Sequence, residues 1–182
     1  MSARSKARKQ ALDILYEADI RGANSLELLA NRELLASHDE VPAIREYAKE
    51  LLEGIVSNLR KIDELIVTYA RGWDMDRLAT IDRNILRLGI FEIVWADEID
   101  DSVAISEAIA LAKDLSTEES STFIHGVLGA IITSNTLATP HVSIPRIFVS
   151  NKNIHHTSLN DPVHHITKEN TNTYTKDTCR IN

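Results

Sequence analysis

Apolar residues recur every three or four positions through most of residues 1–132, which is the spacing of amphipathic helices. No segment there alternates apolar and polar residues over a useful length, so we expect no sheet. The predicted helices span about residues 3–20, 25–36, 42–55, 59–72, 76–96, 103–115 and 116–131. Ser116 and Glu119 have the spacing of a capping box, which predicts that Ser116 caps the last helix. The pattern therefore predicts an all-α fold of about seven helices.

The remaining residues, 133–182, differ from this helical region in composition and in charge. They contain five of the seven histidines and three of the four prolines, and they show no helical period. Residues 1–132 contain 15 basic and 24 acidic side chains, whereas residues 133–182 contain 5 basic and 3 acidic ones. We predict two regions: a helical domain over 1–132 and a polar, disordered tail over 133–182, in which Ile147–Val149 form a small apolar patch.

A basic cluster opens this acidic chain, whose formal net charge is -7. Arg4, Lys6, Arg8 and Lys9 precede the first acid, Asp13, and all four fall in the first turns of the first predicted helix. A helix N-terminus carries about half a positive charge, so cations there are unfavourable unless an anion binds them. The cluster predicts a polyanionic partner such as an RNA backbone. The alternative is a solvated helix start that binds nothing.

Two other segments can each be interpreted either as part of a binding surface or as ordinary structure. The aromatic ring of Tyr16 suits stacking on unpaired bases, although its spacing favours packing in the core. Residues 82–87, DRNILR, include Asp82, Arg83 and Arg87, which we place on the outer surface. They form either a solvated face with local ion pairs or a surface that binds a partner.

Enzyme chemistry finds little support in the sequence. It has no Gly-rich phosphate loop, no zinc-protease motif, and no serine or cysteine in a nucleophile-elbow setting. His38 and His125 are isolated, and the tail histidines match no closed metal site. We expect a non-catalytic protein without cofactor or metal. The single cysteine, Cys179, and the absence of an apolar run of about 20 residues predict a cytoplasmic protein outside the membrane.

Three segments of the helical region form an ordered set of motifs. The first is KARKQALDILYEA over residues 6–18, and the second is IDRNILRLGIFE over residues 81–92. The third is VAISEAIALAK over residues 103–113, followed by FIHGVL over residues 123–128. Together these segments resemble the NusB family of bacterial transcription antitermination factors and cover about residues 4–132 in the order that the family has them. RGWDMDRL, over residues 71–78, is similar to actinobacterial members in particular.

The resemblance implies a compact helical bundle in two packed halves, without catalytic activity. It also implies binding to the boxA element of nascent ribosomal RNA together with NusE, a small-subunit ribosomal protein, within an antitermination complex on RNA polymerase. The family contains monomers and dimers, so a homodimer is compatible with it. By position, the RNA-binding residues are Arg4, Lys6, Arg8, Lys9, Tyr16 and, more weakly, Lys113. The partner-binding residues are Asp82, Glu119 and Phe123.

Two features depart from the family pattern. Ser106 and His125 stand where the family usually has Asn, and the tail after Ile132 has no counterpart in it. Two alternative functions keep a helical fold. One is a protein adaptor that never contacts nucleic acid. The other is an RNA-binding module related to the N-terminal domain of ribosomal RNA methyltransferases, although no Gly-rich cofactor loop follows here.

Overall fold

The computed structural model describes residues 2–70 and 75–138, without the side chains of Asp76 and of residues 136–138. This part of the chain forms six α-helices and no strand, which confirms the all-α fold class. The helices are α1 (Ala3–Arg21), α2 (Ser25–Ser37), α3 (Glu46–Tyr69), α4 (Thr80–Trp95), α5 (Asp101–Leu115) and α6 (Glu118–Ala138). A short 3₁₀ turn, Met75–Arg77, precedes α4.

The ends of α1 follow the local sequence closely. The Ser2 side chain accepts a hydrogen bond from the backbone N–H of Ser5 at 3.0 Å, so Ser2 is the N-cap. At the other end Gly22 has a φ of 61°, and its N–H donates to the Ala18 carbonyl. That left-handed backbone is the conformation glycine adopts at helix C-caps without steric cost.

The number of helices differs from the prediction because the third and fourth predicted helices are one continuous helix, α3. Ser57 and Asn58 interrupt the apolar pattern but not the backbone. Their side chains donate back to the carbonyls of Glu53 and Gly54, at 2.7 and 2.8 Å, within the same helix. Six helices therefore replace the seven predicted, and α3 begins at Glu46 rather than near Pro42.

The predicted cap of the last helix is wrong by one residue. The Thr117 hydroxyl, not that of Ser116, accepts the hydrogen bond from a first-turn backbone N–H, which is that of Ser120 at 3.2 Å. The capping-box spacing holds only for Ser116 and Glu119, but the helix begins one residue later, at Glu118, so Thr117 lies at the capping position. The Ser116 hydroxyl bonds instead to that of Ser120 at 3.0 Å.

Helix α4 is the centre of the fold. It packs against α1, α3, α5 and α6. Its apolar residues Ile85, Leu86 and Ile90 are fully buried. Four polar residues of α4 are also buried, namely Asp82, Asn84, Arg87 and Glu92. Buried polar groups require partners, and these four residues belong to the three polar sites described below.

Helix α6 continues to Ala138, past the domain boundary predicted at residue 132. The predicted disordered tail and the Ile147–Val149 patch lie outside the described residues from 139 onward. Among the helices that are described, none combines the length and the apolar character needed to cross a membrane.

Candidate nucleic-acid interface

The four cations of the basic cluster do not share one environment. Arg4 and Lys6 are exposed on the first turns of α1, and Lys9 is partly exposed on the next turn. Arg8 is only 2% exposed. The prediction that all four cations surround the start of α1 in solvent is therefore wrong for Arg8.

Arg8 is the anchor of α1 against the rest of the bundle. Its Nε atom donates to both carboxylate oxygens of Glu92 on α4, at 2.9 and 3.0 Å. Its Nη1 atom lies 3.5 Å from a carboxylate oxygen of Glu107 on α5. Glu92 is 1% exposed, so this is a buried ion pair that joins helices distant in sequence. Although burial lowers the pKa of Arg8, the hydrogen bond and charge of Glu92 raise it overall.

Tyr47 on α3 completes this buried cluster. Its hydroxyl donates to Glu92, and the guanidinium carbons of Arg4 and Arg8 lie 5.2 and 5.5 Å from the centre of its ring. Both distances are within the range of cation–π contacts. Burial and the hydrogen bond to Glu92 raise the pKa of Tyr47 well above its usual range, so the phenol stays neutral and donates. The cluster fixes the position from which Arg4 and Lys6 project into solvent.

Tyr16 lies on the solvent side of α1. Its side chain is 41% exposed, so the expectation that it packs in the core is wrong. Lys6, Lys9 and Tyr16 are separated by three and seven residues, so they lie along one face of the helix. This face, which we call the α1 face, presents two cations followed by an aromatic ring.

The end of α5 lies beside the α1 face. The Nζ atom of Lys9 is 3.3 Å from Oδ2 of Asp114, and the Ser5 hydroxyl donates to Glu107 at 2.8 Å. Lys113 is exposed in the last turn of α5, next to Asp114 in sequence. The structure thus brings the weakest RNA-binding candidate, Lys113, close to the basic cluster.

Asp82 is not on the outer surface, contrary to the sequence prediction. It is 8% exposed, and its Oδ2 atom accepts a hydrogen bond from the Ser120 hydroxyl of α6 at 2.7 Å. Its other carboxylate oxygen is buried and has no hydrogen-bond partner within the described part of the chain. Replacing Asp82 with lysine would bury an ammonium group, so that substitution tests folding rather than a partner contact.

Glu119 and Phe123 do reach the surface of α6. Glu119 is exposed in the first turn, where its charge suits the helix N-terminus. Phe123 is half-buried and lines a groove of about 650 Å³ that runs along α6 to Tyr69 of α3. We call this the α6 groove; Thr122, Gly126, Val127, Ala130, Thr133 and Ser134 line the rest of it. Of the three predicted partner-binding residues, two therefore lie together on an accessible surface.

Both sequence interpretations of Arg87 are wrong, because it belongs to a buried network. Its guanidinium bonds to the two carboxylate oxygens of Asp63 at 2.8 and 2.9 Å and to Asp19 at 3.0 Å. Asp19 also accepts from Arg83 and Asn84, each at 3.0 Å. The network joins α1, α3 and α4. Apolar neighbours on both sides of Arg87 were the one sequence signal of its burial.

The fold and these sites define a helical binding protein: a cationic face, an accessible groove and, among the described residues, no cluster of metal-binding side chains. The NusB family model matches residues 5–133, and the chain belongs to the NusB family. The family resemblance predicted from the sequence is thereby confirmed. Relatives of this chain within the family are named as transcription antitermination proteins.

Two such relatives carry the name transcription antitermination protein NusB. The protein of Acidothermus cellulolyticus is 47% identical over 139 residues, which are 76% of this chain and 93% of that protein. The protein of Salinispora tropica is 48% identical over 133 residues, covering 72% of this chain and 96% of its own length.

Solved structures agree with the fold. Thermotoga maritima NusB is 32% identical, with a TM-score of 0.63 over 72% of this chain and 92% of its own. A chain from the crystal structure of antitermination factors NusB and NusE in complex with dsRNA is 31% identical, with a TM-score of 0.62. That match covers 72% of this chain and 96% of the other.

Proposed function

We propose that this protein is a cytoplasmic, non-catalytic transcription antitermination factor that binds boxA RNA of nascent ribosomal transcripts together with NusE. The observation that carries the proposal is the α1 face, where cations and an exposed aromatic ring follow one another on one rigid helix. The homologous complex of NusB and NusE with dsRNA supports both partners. The protein would act within an antitermination complex on RNA polymerase.

The RNA would bind first through its phosphates. Arg4, Lys6 and Lys9 neutralise phosphate charge and release counterions, which gives attraction independent of sequence. The start of α1 has no acid in its first turn, so its free N–H groups favour the same anion. Tyr16 would stack on an unpaired base about two turns further along the helix, and Lys113 would contact the backbone from α5.

NusE would bind at the α6 groove through Glu119 and Phe123. A half-buried aromatic ring beside a groove is the kind of anchor that dominates protein interfaces. The acidic body, with 24 acidic against 15 basic side chains over residues 1–132, attracts a basic ribosomal protein. Asp82 contributes indirectly, because its bond to Ser120 fixes the first turn of α6.

Removing Arg4 and Lys6, the two exposed cations of the basic cluster that pair with no carboxylate in the described part of the chain, tests the RNA surface. The double variant Arg4→Ala/Lys6→Ala is expected to bind single-stranded boxA RNA about 10-fold more weakly at low salt, because two phosphate contacts are lost. The slope of log K against log salt should become shallower by about 1.4, which is about 0.7 for each phosphate. Fluorescence anisotropy across a salt series measures both quantities.

The control for this experiment is Arg60→Ala/Lys61→Ala, which removes one arginine and one lysine from the exposed surface of α3. The control should bind boxA RNA like the wild type. Equal losses in the two variants would mean that net charge, not the position of the cations in the first turns of α1, governs binding. An unchanged affinity and slope in Arg4→Ala/Lys6→Ala would remove the first turns of α1 from the phosphate-binding surface and favour the protein adaptor.

A charge reversal at Glu119 tests the partner surface. Glu119→Lys is expected to weaken capture of purified NusE about 5-fold or more, because a cation would face a basic partner. RNA binding without NusE should be unchanged. The matched control is Glu27→Lys. Glu27 is an exposed acid in the first turn of α2, so its replacement by lysine has the same unfavourable interaction with a helix N-terminus. If both variants capture NusE equally well, Glu119 does not contact it.

A further inference from the structure

The basic cluster has acidic neighbours on α5. Asp114 lies 3.3 Å from Lys9, and both side chains remain accessible, at 52% and 39% exposure. Glu107, seven residues earlier on α5, bonds to Ser5 and contacts Arg8. The two carboxylates differ in their surroundings. Glu107 is 25% exposed and part of the buried Arg8 cluster, whereas Asp114 forms its ion pair, among the described residues, with the RNA-binding candidate Lys9.

Stability gives little reason for an acid at position 114. An exposed ion pair contributes about 0–1 kcal/mol, and salt screens it. Asp114 also lies in the last turn of α5, which ends at Leu115. The negative end of the helix dipole disfavours a carboxylate there and favours a cation such as Lys113.

The Lys9–Asp114 pair has a direct consequence for RNA binding. An ammonium group that is already paired with a carboxylate offers little net charge to a phosphate. To contact RNA, Lys9 must leave Asp114, and the freed carboxylate then lies close to the incoming phosphate. Like charges at such distances repel, so Asp114 opposes the binding that Lys9 supports.

We propose that Asp114 is an internal competitor of the RNA phosphate at Lys9 and thereby limits the affinity of the α1 face for RNA. This inference rests on the proposed function, because it assigns a role within the same RNA surface. The competitor weakens attraction to any polyanion and leaves base contacts untouched. It therefore shifts the balance from phosphate-driven binding towards binding that depends on sequence and on NusE.

The test uses the full chain and a single-stranded boxA RNA oligonucleotide across a salt series. Asp114→Asn removes the charge but keeps the size of the side chain. It is expected to raise affinity about 3- to 10-fold at low salt and to steepen the slope of log K against log salt by up to about 0.7, the contribution of one phosphate. The thermal unfolding midpoint should stay close to that of the wild type.

The same substitution in a Lys9→Ala background shows whether Asp114 acts through Lys9. There the gain should be clearly smaller, because no ammonium group remains to be released and only the repulsion between the Asp114 carboxylate and the phosphate is relieved. A gain of the same size in both backgrounds would overturn the proposal, since it would reflect net charge alone. Asp101→Asn, at the first turn of the same helix, is the charge-matched control. It lies about 20 Å away along the axis, well beyond the screening length of about 8 Å, and should leave affinity unchanged.

The outcomes separate this inference from the proposed function. If wild-type protein binds boxA RNA and Asp114→Asn binds it equally well, the competitor role is wrong and the RNA surface stands. If wild-type protein binds no RNA at low salt, with or without NusE, the proposed function fails and the competitor role fails with it.

Discussion

Replacing Arg8 with alanine is expected to destabilise the fold by about 3–5 kcal/mol, far more than any other change within the basic cluster. The variant leaves the carboxylate of Glu92, which is 1% exposed, with the Tyr47 hydroxyl as its remaining hydrogen-bond donor within the described part of the chain. An unpaired buried charge carries the full desolvation cost, whereas the wild-type pair compensates it through two hydrogen bonds at 2.9 and 3.0 Å. Urea unfolding followed by circular dichroism measures the loss.

Arg4→Ala is the control, because Arg4 is exposed and makes only a cation–π contact with Tyr47. Its expected cost is about 1 kcal/mol or less. A second variant, Arg8→Met/Glu92→Leu, removes both charges and should recover much of the stability lost in Arg8→Ala. If Arg8→Ala instead keeps its stability and loses RNA affinity like Arg4→Ala/Lys6→Ala, Arg8 would be a phosphate ligand rather than an anchor.

Arg8 also shows how far the sequence alone carries the prediction. Helical periodicity puts Arg4 and Arg8, four residues apart, on one face of α1, but it does not identify what that face contacts. The partner of Arg8 is Glu92, 84 residues later, and only the packing of α1 on α4 brings them together. Composition identified the cluster as basic, but contacts between residues distant in sequence bury one of its members, Arg8.

The number of helices and the exposure of Tyr16 show the same difference between what local sequence predicts and what tertiary contacts determine. The sequence predicted nearly all helix positions because the apolar period is strong, yet it divided α3 at Ser57 and Asn58. Ser and Asn side chains inside a helix can bond back to the carbonyl four residues earlier, and these two do so without interrupting α3. Tyr16 fits the apolar spacing of α1, yet its side chain stays 41% exposed, which the spacing alone could not predict.

The second large effect is expected at Arg87, where the Arg87→Met variant should lose about 3–5 kcal/mol. The guanidinium holds Asp63 of α3 and Asp19 of α1 together on α4, at distances of 2.8 to 3.0 Å. Methionine fills the space of the side chain, so the loss reports charge and hydrogen bonds rather than a cavity. Without Arg87, two partly buried carboxylates remain near each other, with Arg83 and Asn84 as the donors left to Asp19.

A double-mutant cycle with Asp63→Asn separates the pair from its surroundings. The two changes share a bidentate contact, so their costs should fall short of additivity by about 1–3 kcal/mol in urea unfolding. Arg60→Ala removes an exposed partner of Glu64 from the same helix and should cost only about 0.5 kcal/mol. Additive costs for Arg87→Met and Asp63→Asn would contradict a joint network.

The Arg87 network also has a consequence for the RNA surface. Asp19 lies three residues after Tyr16 on α1, so loss of the network should loosen the end of that helix. Arg87→Met should therefore weaken base stacking at Tyr16. The slope of log K against log salt, to which Arg4 and Lys6 contribute, should persist.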